Sequence, residues 1–188
     1  MMRLFIAVDI NFNRKISEFY LQTKELFKNE KIKWVDPDNF HLTLKFLGET
    51  QTDKIPFIEN SLKEIAKNYK KFEIEISGIG VFPNLYKPKV LWIGINKYEI
   101  LTEIAHQIDT KLQKIGFEPE TRIFKPHLTI GRIKFIRSLS KLKNYVEKNS
   151  EKFFNRQKIN SIILYQSILS PQGAKYNALK IIKLQDNE

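Results

Sequence analysis

The chain contains no cysteine, which removes disulfides, thiolate metal ligands and a cysteine nucleophile at the outset. That suits a reducing compartment, and a cytoplasmic location is the expectation. No apolar run approaches the roughly 18 residues of a membrane span. The opening MMRLFIAVDI has one arginine before a short apolar run, but Asp9 interrupts it and no small-residue cleavage site follows. This start reads as a first strand, not a signal peptide. Acidic residues are in deficit: 21 Asp and Glu face 32 Lys and Arg, a net charge of +11. A surplus of that size favours polyanionic partners such as nucleic acid. Low-complexity stretches are missing too. With 42% hydrophobic residues, the 188 residues can bury a sizeable core, as one domain or as two small lobes.

Histidine is scarce, with three in the chain, yet two of the three occupy one recurring tetrad. Residues 39–48 read NFHLTLKFLG and residues 124–133 read FKPHLTIGRI. Sliding the sequence by the 86 positions that separate His41 from His127 tests for an internal repeat. LFIAVD at 4–9 then falls on VLWIGI at 90–95, and the helical pattern after Phe12 falls on 98–115. KFEIEISGIGVF at 71–82 falls on QKINSIILYQSI at 157–168. Each half reads strand, helix, His-x-Thr strand, helix, strand. The expected fold class is α+β: two similar lobes with antiparallel sheets and flanking helices, related by a pseudo-twofold axis around a central groove. One bilobal domain is expected over residues 1–188, with halves at about 3–82 and 89–168. They join through FPNLYKP at 82–88, and an extra strand follows at 175–183.

Side chains alternate faces along a strand. His41 and Thr43 therefore share one face, opposite Leu42 and Leu44, and His127 and Thr129 repeat this against Leu128 and Ile130. The apolar faces dock on helices and leave two imidazoles and two hydroxyls for the groove. Imidazole titrates near neutral pH, so one ring can take a proton while the other gives one. That pairing suits in-line displacement at phosphorus, with hydroxyls holding the non-bridging oxygens. Two histidines are too few for a metal site, and no metal or cofactor is expected. His106 has no counterpart in the first half, where position 20 is Tyr, and reads as a surface or packing residue.

These segments resemble the two-histidine (2H) phosphoesterases, specifically the RNA 2′,3′-cyclic phosphodiesterases, also called 2′-5′ RNA ligases. The resemblance runs from RLFIAVDI at 3–10 through KWVDPDNFHLTLKFLGE at 33–49, ISGIGVFPN, PKVLWIGI and FKPHLTIGRIK at 124–134. It ends with LSPQGAKYNAL at 169–179. It implies metal-independent opening of a 2′,3′-cyclic phosphate at an RNA 3′ end, leaving a 2′-phosphomonoester. It also implies His41 as proton donor, His127 as proton acceptor, and Thr43, Thr129 and Arg132 as phosphate-binding residues. Strand parity turns Arg132 away from His127 unless Gly131 supplies a bulge. Lys45 shares parity with His41 and would reach a neighbouring phosphate. Phe5 is a candidate for stacking on a base, with packing as its other reading. Trp34 and Tyr176 read as core or lobe-closing aromatics outside the site. The partner implied is RNA with a cyclic phosphate end, tRNA-derived fragments among the candidates, bound by a monomer with no membrane or protein partner. The alternatives are a phosphodiesterase for small cyclic nucleotides or 2′-5′-linked oligonucleotides, and a non-catalytic nucleotide- or RNA-binding module.

Overall fold

The structure, a computed structural model, describes residues 1–170 and 173–186. Pro171 and Gln172, within the LSPQGAKYNAL segment, lie outside the described residues.

Among the described residues, nine strands and four α-helices follow one another. The first half supplies β1 (Met2–Asp9), α1 (Arg14–Leu26), β2 (Lys31–Trp34), β3 (His41–Thr50), α2 (Ile55–Ala66) and β4 (Phe72–Phe82). The second supplies β5 (Val90–Asn96), α3 (Glu99–Gln113), β6 (His127–Phe135), α4 (Leu139–Lys148), β7 (Phe153–Ile159), β8 (Ser161–Ser170) and β9 (Gly173–Lys183). Local chemistry sets the helix starts. The Asn13 side chain accepts from the Ile16 amide at 3.0 Å, and Ser138 accepts from the Lys141 amide at 3.3 Å; both satisfy orphan donors of a first turn. In α1 the buried residues Ile16, Phe19, Tyr20 and Thr23 recur at three- and four-residue steps, so one stripe docks on the core. Among the described residues no helix is long and apolar enough to cross a membrane.

The strands form two antiparallel sheets, ordered β3-β1-β8-β9 and β2-β6-β5-β4-β7. Read from the tetrad strand inward, β3-β1-β8-β9 matches β6-β5-β4-β7 position by position. Yet β8 comes from the second half and β4 from the first. The halves exchange their last strands, so neither sheet is built by one half alone. Two strands lie outside the expected repeat pattern. β2 (KIKW) is an edge strand beside β6, and β7 (FFNRQKI) is the edge beside β4. Short charged edge strands carry little apolar alternation, which is why periodicity passes over them.

Register corrects the ungapped slide of 86. Asp9 stands opposite His41, and Gly94 stands opposite His127. The first strands are therefore 85 positions apart while the tetrads are 86 apart. A one-residue slip exchanges the two faces of a strand. Ala7, not Ile6, is thus the structural counterpart of Trp92, and Ile6 matches Leu91, both fully buried.

Register also corrects the expectation for Lys45. Ile6 pairs with Lys45 and Ala7 with Thr43, so Leu44 is an extra residue in β3. That bulge turns Lys45 to the helix side, where it is 6% exposed. Its ammonium lies 2.5 Å from an Asp109 carboxylate oxygen on α3 and 2.9 Å from the Glu118 carbonyl. Lys45 is thereby committed to the interior and cannot reach a phosphate in the groove. Removing one member of a buried pair leaves the other charge uncompensated. Lys45→Ala is expected to destabilise the fold by about 3 kcal/mol, read as a lowered urea midpoint with an unchanged m-value.

Candidate active site

The two tetrads are placed alike. His41 and Thr43 open β3, while His127 and Thr129 open β6, and Leu42, Leu44, Leu128 and Ile130 are buried behind them. In each case the imidazole Nδ1 lies 2.7 Å from a backbone carbonyl two residues earlier, Asn39 O for His41 and Lys125 O for His127. Donation from Nδ1–H fixes the tautomer and leaves Nε2 as the nitrogen with no protein partner among the described residues. The hydroxyls of Thr43 and Thr129 are likewise uncommitted there.

Arg132 reaches the same face by the bulge that strand parity required. Trp92 pairs with Thr129 and Leu91 with Gly131, so Ile130 is the extra residue. It occupies the tetrad position of Leu44, the extra residue of β3. After it, Arg132 pairs with Val90 and returns to the face of His127 and Thr129. Gly131 makes room: a Cβ there would stand 2.8 Å from Ile32 Cγ2 on β2. Arg132 has no ion pair among the described residues, and its positive charge is felt at both imidazoles. The matching position in β3 is Phe46, exposed and facing the same way as His41.

Phe5 is 3% exposed. Its ring centroid is 4.8 Å from that of His41 and 5.2 Å from the stacked Tyr165, with Tyr176 edge-on at 5.0 Å. Phe5 thus sits in an aromatic cluster with little ring surface open to a base. Tyr176, by contrast, belongs beside the site. It meets the His41 ring edge-on at 5.0 Å. No periodicity could have found it, because β9 reaches His41 only through the strand exchange that places β8 next to β1. His127 is walled by Phe82, edge-on at 4.9 Å, and by Trp92, whose ring lies across Gly80 where any Cβ would overlap it. Trp34 packs at the core margin, edge-on to Tyr20. His106 is exposed on α3, away from the pair.

The two histidines differ in electrostatics. Burial lowers both pKa values below the ordinary imidazole range, and the backbone hydrogen bond opposes this in each. His41 also faces the Asp9 carboxylate across the β1–β3 ladder, which raises its proton affinity. His127 faces Gly94 and has only the Arg132 cation, which lowers it. Burial and Asp9 push the Tyr165 hydroxyl up, so it stays protonated and donates to Asp9. Among the described residues, no group of three or more His, Asp or Glu side chains is placed to hold a metal ion.

Comparison with known proteins fits this arrangement. The sequence pattern of the family described as LigT like Phosphoesterase matches twice, at residues 6–92 and 93–176. An RNA 2′,3′-cyclic phosphodiesterase of Archaeoglobus fulgidus is 38% identical over 97% of this chain and 100% of its own. One from Methanocaldococcus jannaschii is 40% identical over 95% and 99%. Among solved structures, TT0787 of Thermus thermophilus superimposes with a TM-score of 0.81 at 23% identity, covering all of both chains. Escherichia coli LigT in complex with 3′-AMP gives 0.72 at 24% identity, over 97% of this chain and 98% of its own. Two copies of the pattern, full-length relatives and a shared two-sheet architecture agree: the chain belongs to the LigT-like phosphoesterase family.

Proposed function

We propose that this protein hydrolyses 2′,3′-cyclic phosphates at RNA 3′ ends to 2′-phosphomonoesters, by paired-histidine acid–base catalysis without a metal ion. The observation that carries the reading is the pair of imidazoles. Each is held by Nδ1 on a backbone carbonyl with Nε2 uncommitted, and Arg132 acts electrostatically on both. The names of the archaeal relatives point to the same substrate class.

The reaction divides between the two rings. Neutral His127 takes a proton from water at Nε2, and the water oxygen bonds to phosphorus. The P–O3′ bond breaks opposite, and protonated His41 gives its Nε2 proton to O3′, leaving the phosphate on O2′. The inequality of the two sites supports this order. The Asp9 carboxylate favours the protonated form of His41, while Arg132 on its own strand favours neutral His127. Thr43, Thr129 and Arg132 hold the non-bridging oxygens, where negative charge accumulates. Metal independence rests on the donor set: beside two imidazoles, two hydroxyls and a guanidinium stands the Asp9 carboxylate, which is committed to the Tyr165 hydroxyl, and among the described residues no three His, Asp or Glu side chains gather as ligands.

The test is incubation of purified protein with a short RNA ending in a 2′,3′-cyclic phosphate, in EDTA, with identification of the product isomer. A 2′-phosphate formed at an undiminished rate is the expected result. Loss of activity restored by a divalent ion overturns metal independence. Turnover of cyclic mononucleotides or 2′-5′-linked oligonucleotides in place of RNA ends moves the substrate to that smaller class.

A further inference from the structure

The groove face of β6 does not end at Arg132, and β2 widens it. Lys33 pairs with Arg132, and Trp34 with Gly131. Ile32 and Trp34 pack on the core, so Lys31 and Lys33 show the opposite face, which Arg132 shares with His127 and Thr129. A register shift between Lys31 and Ile32 makes Lys134 an extra residue, and Phe135 pairs with Lys31. Lys134 and Phe135 are both exposed, with Ile133 buried behind them. Phe135 is 55% exposed and meets no other aromatic ring among the described residues. Lys31, Lys33, Arg132 and Lys134 are exposed, and none has an ion-pair partner among the described residues. The carboxylates that flank β2 are occupied: Glu30 accepts from the Arg137 amide at 2.6 Å and Asp36 from the Asp38 amide at 3.1 Å.

We infer that this ledge of β2 and β6 holds single-stranded RNA upstream of the terminal nucleotide, with its lysines on successive phosphates and the Phe135 ring against a base. The inference deepens the function proposed above and rests on it for the identity of the polymer. Paired residues on neighbouring antiparallel strands stand about 5 Å apart. Two residues along a strand rise about 6.7 Å, a step close to that between phosphates of a stretched single strand. An exposed ring among unpaired cations suits single strands of any sequence, since every nucleotide offers a charge and every base a π-face. The other lobe has no such track. There the matching part of β3 carries Phe46 and then Glu49, which stands opposite Arg3 of β1. Its charges cancel, whereas on the ledge four cations add. Position ties the ledge to the site, because a strand leaving a phosphate held by Arg132 meets Lys33 on the adjoining strand. A base lying on Phe135 has left its pairing partner, so RNA with an unpaired 3′ overhang is the substrate class that the ledge favours.

The experiment measures binding without turnover. A fluorescent, unstructured RNA of about eight nucleotides, within the usual span of a single-strand site, ends in a 3′-phosphate and so has no cyclic ester to open. Its affinity is followed by anisotropy across a range of salt. Lys31→Gln, Lys33→Gln and Lys134→Gln together are expected to flatten the slope of log K against log salt by about 2, at roughly 0.7 per phosphate neutralised. Phe135→Ala is expected to weaken binding about 10-fold at each salt concentration with the slope unchanged, within the range of one base stack. All four positions are exposed, so circular dichroism and the melting midpoint should hold. The comparison is an equal loss of charge at Lys67, Lys114 and Lys148, at the ends of the outer helices α2, α3 and α4, which is expected to leave the slope nearly as it was. A ledge variant with the parent slope, or a comparison variant that flattens it equally, overturns the inference. Unchanged affinity in Phe135→Ala overturns the place of the base. The outcome stands apart from the reaction. RNA held on the ledge by a protein that opens no cyclic phosphate supports the surface, while opening of the cyclic phosphate with no effect at the ledge leaves the reaction and removes the surface.

Discussion

His41→Ala and His127→Ala are each expected to lower turnover of an RNA 2′,3′-cyclic phosphate by about 10²–10⁴-fold, the usual worth of a general acid or base. The double variant should lose far less than the product of the two, because acid and base act in one transition state. Each ring has one neighbouring carbonyl as hydrogen-bond partner and aromatic rings packed beside it, so a lowered melting midpoint with an unchanged circular dichroism spectrum is expected, and turnover is compared well below that midpoint. Near-wild-type turnover in either single variant would falsify the assignment. The pH profile carries the sign. The proposed mechanism needs neutral His127 and protonated His41, so kcat/KM is expected to rise as His127 loses its proton and to fall as His41 loses its own. Burial lowers both, so the bell in kcat/KM is expected to sit below the ordinary imidazole value of about 6.5. Its two apparent pKa values belong to the pair. A bound phosphodiester anion favours the protonated rings, so the kcat bell should lie at higher pH than that of kcat/KM. Coincident bells centred well above neutrality would contradict the buried, Arg132-facing setting of both rings.

Arg132→Ala is expected to cost about 10²–10³-fold in turnover, comparable to removing one preorganised donor from an oxyanion site. The loss should be equal on short and long substrates if, as proposed, the guanidinium acts at the transferring phosphate and not along the RNA. A second readout separates this from simple loss of packing. The cation lowers the proton affinity of both imidazoles, so its removal moves both limbs of the kcat/KM bell to higher pH. Arg132→Lys should restore the bell's position better than the rate, since an ammonium supplies charge without the planar fork. A variant with a reduced rate and an unmoved bell would show that Arg132 does not face the pair. Lysines elsewhere should act through counterion release, with a slope near −0.7 per phosphate neutralised on single strands. Their effect belongs to long RNA alone.

How much of this is legible in the sequence depends on the range of the interaction involved. The tetrads, their alternation and the α+β class follow from periods of two and 3.6, which are local properties of the chain. The bulge that brings Arg132 onto the face of His127 is readable as a requirement, since parity forbids the placement without it and Gly131 offers the room. Its twin in β3 has no glycine to mark it, and so parity alone sends Lys45 to a phosphate while the side chain is paired with Asp109 inside. Asp9, Tyr165 and Tyr176 escape notice as neighbours of His41 for a different reason. They reach it through pairings of β1, β8 and β9 that leave no periodic trace, Tyr165 and Tyr176 from more than a hundred residues away. The one-residue difference between the offsets of the first strands and the tetrads is invisible for the same reason. Only cross-strand register reveals it.

The exchange of last strands between the halves bears on how the groove can move. A clamshell opens at a hinge where few segments pass from one side to the other. Here β8 is hydrogen-bonded between β1 and β9, and β4 between β5 and β7. Spreading the halves apart would shear two interior ladders in sheets that each half completes for the other. The Lys45–Asp109 ion pair adds a third tie, between β3 and α3. The strands that carry His41 and His127 are therefore tied to one another through the exchanged strands and this ion pair. Under the proposed mechanism, substrate would meet both rings on strands that are already tied together, and adjustment on binding would fall to the exposed Arg132 side chain and the connecting loops. In mechanical terms the molecule is a stapled frame rather than a jaw.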